Sequence, residues 1–232
     1  MAAEVVPGQI KARLALALDV DDAVVAQRLA RELRPYFDVV KVGLELFCAA
    51  GPSIVAEMID DGYRVFLDLK LADIPTTVER TARVLGALGV SYLTLHAFTG
   101  VTMLKAGVTG LAEGAERAGL EPPGVLAVTV LTSDATAPAH IIGDRVAAAS
   151  AGGCAGVVCA AGDVAQAKAL APELFAVVPG IRLPGADCND QARAATPEAA
   201  LAAGADLLVI GRAVTAAADR RLAAQELVDG LV

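Results

Sequence analysis

The run Asp68-Leu69-Lys70-Leu71-Ala72-Asp73-Ile74-Pro75 brackets one lysine with two carboxylates. Side chains of an extended segment alternate with period two, so Asp68 and Lys70 are expected on one face, pointing inward together. Asp73 lies beyond them, where the strand turns into a helix at Ile74-Pro75. A lysine held among carboxylates stays protonated at neutral pH and can deliver its proton to a nascent anion. The carboxylates in turn repel an anionic group pressed against them.

A second group of residues has the chemistry of an anion site. Val209-Ile210-Gly211-Arg212 puts a glycine and an arginine directly after an apolar run. Backbone N–H groups, a helix N-terminus and a cation at such a place commonly hold phosphate. Arg182, in Pro179-Gly180-Ile181-Arg182, and Gln191 in the following loop are further candidate donors. A solvated helix cap is the plainer reading of Arg212, and Gln191 taken alone is an ordinary loop residue.

The elements that must position these groups are short apolar runs at 13–18, 39–44, 64–69, 92–96, 125–130, 156–159, 175–178 and 206–210. Most are continuously apolar rather than alternating, the pattern of parallel strands covered on one face by helices and packed on the other against a barrel core. Helical segments lie between them, as in 22–33 and 75–85. Asp22 is a candidate N-cap, Thr196 another, and Pro52, Pro75 and Pro197 suit first turns. Gly62, Gly89 and Gly204 each precede a strand, as helix-ending glycines do. The Ala-rich tracts at 147–151, 199–203 and 216–218 are expected to be helical.

Strand and helix repeated eight times predict an α/β chain, a (β/α)8 TIM barrel formed by one domain over 1–232. Asp19, Lys41, Asp68 with Lys70, His96 and Thr132 fall at carboxyl ends of the predicted strands, and Arg182 and Arg212 just past the last two. All are therefore expected at one mouth. Two longer loops, 132–139 and 179–195, belong to the same rim. Ionised groups there need mutual partners or a ligand, so a purely structural ion-pair network is the alternative to a site.

Composition narrows the classes. The chain has 232 residues, 56% hydrophobic and only 3% aromatic, with a net charge of −8. That charge speaks against nucleic acid as a partner. Four cysteines without C-x-x-C spacing and only two histidines give no metal-ligand pattern, and disulfides are not expected. Without a signal-like start or a long apolar stretch, no membrane association and a cytoplasmic location are expected. His96 reads as a structural, hydrogen-bonded residue and His140 as a surface one.

Four blocks carry a resemblance over essentially the whole chain. They are Leu16-Ala17-Leu18-Asp19, Val40-Lys41-Val42-Gly43-Leu44, the run from Leu67 through Pro75-Thr76-Thr77-Val78, and the pair Pro179-Gly180-Ile181-Arg182 with Val209-Ile210-Gly211-Arg212. On these residues the chain is similar to the bacterial orotidine 5′-monophosphate decarboxylases. D-x-K-x-x-D also occurs in sugar-phosphate enzymes of the same barrel group, and the Ile74-Pro75 continuation favours the orotidylate branch.

The resemblance implies conversion of orotidine 5′-monophosphate (OMP) to uridine 5′-monophosphate (UMP) and CO2, without metal or other cofactor, by a homodimer. It implies that Asp19 and Lys41 hold the ribose and the charge network, that Asp68 sits by the scissile carboxylate, and that Lys70 protonates C6. Asp73 and Thr77 would serve the neighbouring subunit's site, and Ile74 and Pro179 count among the substrate-binding positions. Thr132 matches a pyrimidine-contacting position, with Ser133 as the alternative assignment. Gln191, Gly211 and Arg212 match phosphate contacts, with Arg182 at the corresponding loop position. The interior of 183–190 and Ala213, where proline is common, depart from the family pattern. Competing readings are a metal-dependent sugar-phosphate decarboxylase or synthase on the same rim, and a non-catalytic barrel that senses a nucleotide.

Overall fold

Parity along the strands divides the buried residues of this chain into two cores. In the computed structural model, which describes residues 6–134, 136–138, 140–183 and 193–231, one set of strand residues faces the barrel axis and the other faces the helices. Ala15, Ala17, Val39, Phe66, Leu126 and Val209 belong to the axial set, closed at one level by Tyr92 and Phe175. Their neighbours in sequence, among them Leu16, Val40, Leu67 and Leu208, join the larger layer under the helices. Alternation thus exists although both faces are apolar, as expected of a parallel sheet covered on both sides.

Eight parallel strands close on themselves among the described residues: β1 (Leu14–Ala17), β2 (Val39–Gly43), β3 (Arg64–Leu71), β4 (Tyr92–His96), β5 (Gly124–Val128), β6 (Gly156–Val158), β7 (Phe175–Val178) and β8 (Leu207–Ile210). Sequential strands are neighbours, and β8 returns to β1 with Leu16 opposite Ile210. Around them run α1 (Gly8–Lys11), α2 (Ala23–Leu33), α3 (Leu44–Ala50), α4 (Ser53–Asp60), α5 (Pro75–Gly86), α6 (Val101–Arg117), α7 (His140–Ala151), α8 (Ala161–Leu170), α9 (Pro197–Ala202), α10 (Arg212–Thr215) and α11 (Arg220–Asp229). This is the (β/α)8 barrel expected from the sequence.

The local signals act as their chemistry requires. Asp22 caps α2 by accepting from the Val25 amide at 2.8 Å, and Thr196 caps α9 through Ala199 at 3.3 Å. Gly62 and Gly89 end helices with φ of 85° and 82°, a backbone that β-carbon-bearing residues avoid. One expectation fails: 216–218 is a turn, not helix. Helix α10 stops after a single turn and the chain must redirect before Asp219 caps α11 by accepting from Leu222 at 2.9 Å.

Helices α5 and α6 pack backbone against backbone. A Cβ at Gly110 would stand 2.1 Å from the Glu79 carbonyl oxygen, and one at Gly114 2.0 Å from that of Arg83. Arg83 on α5 also pairs with Glu79 and with Glu113 of α6, at 2.6 and 2.7 Å. The turn carrying Asp73 is therefore anchored by the helix that follows it.

Candidate active site

Inward parity delivers three polar side chains to the mouth: Lys41 from β2, Asp68 from β3 and Thr94 from β4. Lys41 Nζ lies 2.8 Å from Asp19 Oδ1, just past β1, and 3.7 Å from Asp68 Oδ2. Lys70 Nζ lies 2.8 Å from the same Asp68 oxygen. Thr94 donates its hydroxyl to Asp68 Oδ1 at 2.9 Å. Gly43 leaves room for the first pair, since a Cβ there would meet Lys41 Nζ at 3.2 Å and Asp19 Oδ1 at 3.4 Å.

Burial pushes the Asp68 carboxyl upward, but the charges of Lys41 and Lys70, with hydrogen bonds from Lys70 and Thr94, outweigh it and hold the group below the usual carboxylate range. Asp68 is thus a buried carboxylate anchoring two ammonium groups. Its stability in that form depends on both, because a buried charge without a partner is costly.

Lys70 reaches Asp68 by a route that period-two reasoning does not contain. Between β3 and β4 the register runs Leu67 opposite Leu93 and then Leu71 opposite Leu95, so β3 bulges. Lys70 sits in the bulge with φ of 51°, the only non-glycine residue in the left-handed region among the described residues. The expected face is kept. The bulge re-aims the side chain, a use of irregular backbone common beside active sites.

Asp19, Lys41, Asp68 and Lys70 form the floor of a cavity of about 450 Å³, with Thr94 behind them. Its lining also takes in Thr132 after β5, Pro179 and Arg182 after β7, and Gly211 with Arg212 after β8. Arg182 is buried, and its Nη1 donates to the Ile181 carbonyl at 2.9 Å. The Ile181–Ala195 bridge, with Arg182 N–H donating to Ala195 O at 2.9 Å, ties the two ends of the 179–195 segment together. Arg212 opens α10 directly after Gly211, placing a cation and a helix start at the rim. Ser133 is not part of the lining, whereas Thr132 is.

Asp73, Ile74 and Thr77 are exposed and lie outside this cavity. The Asp73 carboxylate accepts from the Ile74 amide at 2.6 Å, so within one chain Lys70 has Asp68 as its carboxylate partner and not Asp73. Asp73 thus lies beyond the groups gathered at the mouth, at the turn into α5 where the sequence put it. Gln191 and Cys188, with 184–190, lie outside the described residues.

His96 differs in its contacts from the expected hydrogen-bonded residue. Its ring packs against Phe98 at 4.9 Å, and among the described residues its side chain makes no hydrogen bond. Partial burial first, then the charges of Lys70 and Arg145, lower its pKa against an opposing pull from Asp68. His140 is exposed, as expected.

Three residues near the site were not anticipated. Thr94 is two positions before His96 on the inward face, and extending the parity of Asp68 across the sheet would have found it. Arg193 pairs with Asp163 of α8 at 2.6 Å and reaches the Leu131 carbonyl at 3.4 Å. It joins the rim segments after β5, β6 and β7, and no local pattern announces it. Among the described residues no three His, Cys, Asp or Glu side chains are grouped to hold a metal. Burial pushes the thiols of Cys154 and Cys159 up to about 12, so neither is a nucleophile at neutral pH.

A closed parallel barrel with an ion-paired floor and arginines at its rim has the layout of an enzyme-type site at the carboxyl ends of the strands. The chain belongs to a known family of such barrels: residues 12–227 match the family described as Orotidine 5′-phosphate decarboxylase / HUMPS family. It is 44% identical over 230 residues to an orotidine 5′-phosphate decarboxylase of Anaeromyxobacter sp. (strain K), covering 94% of this chain and 98% of that one. Identity reaches 48% over 192 residues with the enzyme of that name from Parasynechococcus marenigrum, 78% of each chain. The crystal structure of orotidine 5′-phosphate decarboxylase from Lactobacillus acidophilus superposes with a TM-score of 0.77 at 32% identity, covering 93% of this chain and 97% of that one. No helix among the described residues is long and apolar enough to cross a membrane.

Proposed function

We propose that this chain is a carboxy-lyase that converts OMP to UMP and CO2, with Lys70 as the proton donor. Membership of the family and the names of its relatives support the reaction. The observation that carries the mechanism is the 2.8 Å contact of Lys70 with a buried Asp68 on the floor of a cavity rimmed by Gly211 and Arg212.

The substrate phosphate binds Gly211 and Arg212, with Gln191 and Arg182 as further donors. The ribose lies against Asp19 and Lys41, the pyrimidine against Thr132 and Pro179, and the carboxylate beside Asp68. The C6–carboxylate bond breaks heterolytically, CO2 leaves, and the electron pair stays on C6. Lys70 faces that charge as a fixed ammonium, stabilises it through space and transfers one proton to C6, to be reprotonated from water. Binding energy from the remote phosphate is available to hold the reacting ring in place.

The functional unit on this reading is a homodimer in which Asp73, Ile74 and Thr77 complete the partner's site. Their exposure, and the pairing of Lys70 with Asp68 while the Asp73 carboxylate accepts from its own Ile74 amide, support it. A cytoplasmic location goes with the reading, in keeping with the free thiols of Cys48, Cys154 and Cys159.

The family description also covers the sugar-phosphate branch. Here the floor carboxylates Asp19 and Asp68 are engaged by lysine ammonium groups, which favours charge stabilisation by Lys70 over divalent-metal ligation. The test is loss of OMP absorbance with formation of UMP in chelator-treated buffer. Turnover that survives chelation supports the proposal, and turnover restored only by a divalent cation overturns the metal-free mechanism.

A further inference from the structure

We infer that Thr94 is a positioning residue, whose single hydroxyl fixes both the rotation of the Asp68 carboxylate and the bulged backbone of Lys70. The inference rests on the proposed decarboxylation only for its kinetic readout.

Thr94 is wholly buried in β4, beyond the reach of water. Its Oγ1 accepts from the Lys70 amide at 2.9 Å and donates to Asp68 Oδ1 at 2.9 Å. The hydroxyl's single proton and one of its lone pairs are thereby committed inside the site. Because Oδ1 is taken by Thr94, Oδ2 is the oxygen turned toward Lys70 at 2.8 Å and Lys41 at 3.7 Å.

The second bond meets a different need. A bulge removes the regular ladder partner of its extra residue, and an unpaired buried amide is costly. Thr94 supplies that partner from a side chain instead of a backbone carbonyl. The strained φ of Lys70 and the direction of its ammonium group are thus held by one oxygen, which links the acid's position to the orientation of the carboxylate beside it. Neither bond requires Thr94 to touch substrate.

The test compares Thr94→Val, which keeps shape and loses the hydroxyl, with Thr94→Ser, which keeps it. Thr94→Val should lower kcat about ten- to a hundredfold, the scale of stranding buried polar groups, while KM changes less than about threefold. Thr94→Ser should restore kcat to within about threefold of the parent, since its hydroxyl can make the same bonds. A crystal structure of Thr94→Val should show Lys70 outside the left-handed region or its Nζ drawn away from Asp68. If the valine variant does not fold, Thr94→Cys, close in volume with only a weak thiol donor, replaces it.

An unchanged kcat in a folded hydroxyl-free variant overturns the inference, as does a structure in which Lys70 and Asp68 stay where they are. A parent chain that leaves OMP intact would instead remove the proposed function. The crystal structure then decides on Thr94 alone.

Discussion

Lys70 Nζ meets Asp68 Oδ2 at 2.8 Å from a backbone with φ of 51°. The contact is therefore made from a conformation that costs about 1–2 kcal/mol for a residue bearing a Cβ. A site that keeps such a residue under strain places geometry above local stability, and the two are separable by substitution.

Replacing Lys70 with alanine should lower kcat for OMP by about 10²- to 10⁴-fold, the usual contribution of a positioned acid. Lys70→Gly removes the same charge but tolerates positive φ. It should be more stable than Lys70→Ala by about 1 kcal/mol in urea denaturation. Equal midpoints would mean that the backbone at this position is not strained, and near-normal turnover in either variant would remove Lys70 from the mechanism.

The depressed pKa of Asp68 has a defined signature in acid. A carboxyl whose folded pKa lies below its unfolded value, near 3.9 for a free Asp, gives its full stabilisation above that unfolded value. The contribution is lost as pH falls from there through the folded pKa. Asp68→Asn should therefore be less stable than the parent at neutral pH and should lose less stability on acidification. Parallel stability curves for the two proteins would show that Asp68 is not protected by Lys41 and Lys70.

At the rim, Arg212→Ala should reduce kcat/KM for OMP by about ten- to a hundredfold, as expected for a lost charged hydrogen bond. Orotidine lacking the phosphate should be affected far less. The same factor for both substrates would mean that Arg212 holds something other than the phosphate.

Subunit exchange tests the dimer. Lys70→Ala and Asp73→Ala proteins, each poorly active alone, should regain activity on mixing, because one site of each mixed dimer then has both residues intact. Failure to recover, with exchange verified by mass spectrometry, would refute shared sites.

Much of this architecture was legible because barrel strands advertise themselves. The runs at 92–96 and 175–178 match β4 and β7, and the others agree within one or two residues at each end. Asp22, Thr196 and Gly62 act through bonds or dihedrals confined to a few neighbouring residues, so sequence carries them. The turn at 216–218 was missed because alanine propensity is weak beside the need to redirect the chain. The Lys70 bulge, the Thr94 hydroxyl and the Arg193–Asp163 pair depend on register between strands and on contacts distant in sequence. Alternation correctly put Asp68 and Lys70 on one face but gave no sign of the strained backbone that achieves it.

Hydrogen bonding between β8 and β1 sets an order of events for the molecule. A chain emerging from the ribosome has Lys70 on the third strand long before the eighth can dock and bring Gly211 and Arg212 to the same mouth. On the proposed function, half-made barrels have nothing with which to grip a nucleotide. Ligand then adds its binding energy only to finished molecules, so substrate weights the equilibrium toward the closed ring by mass action.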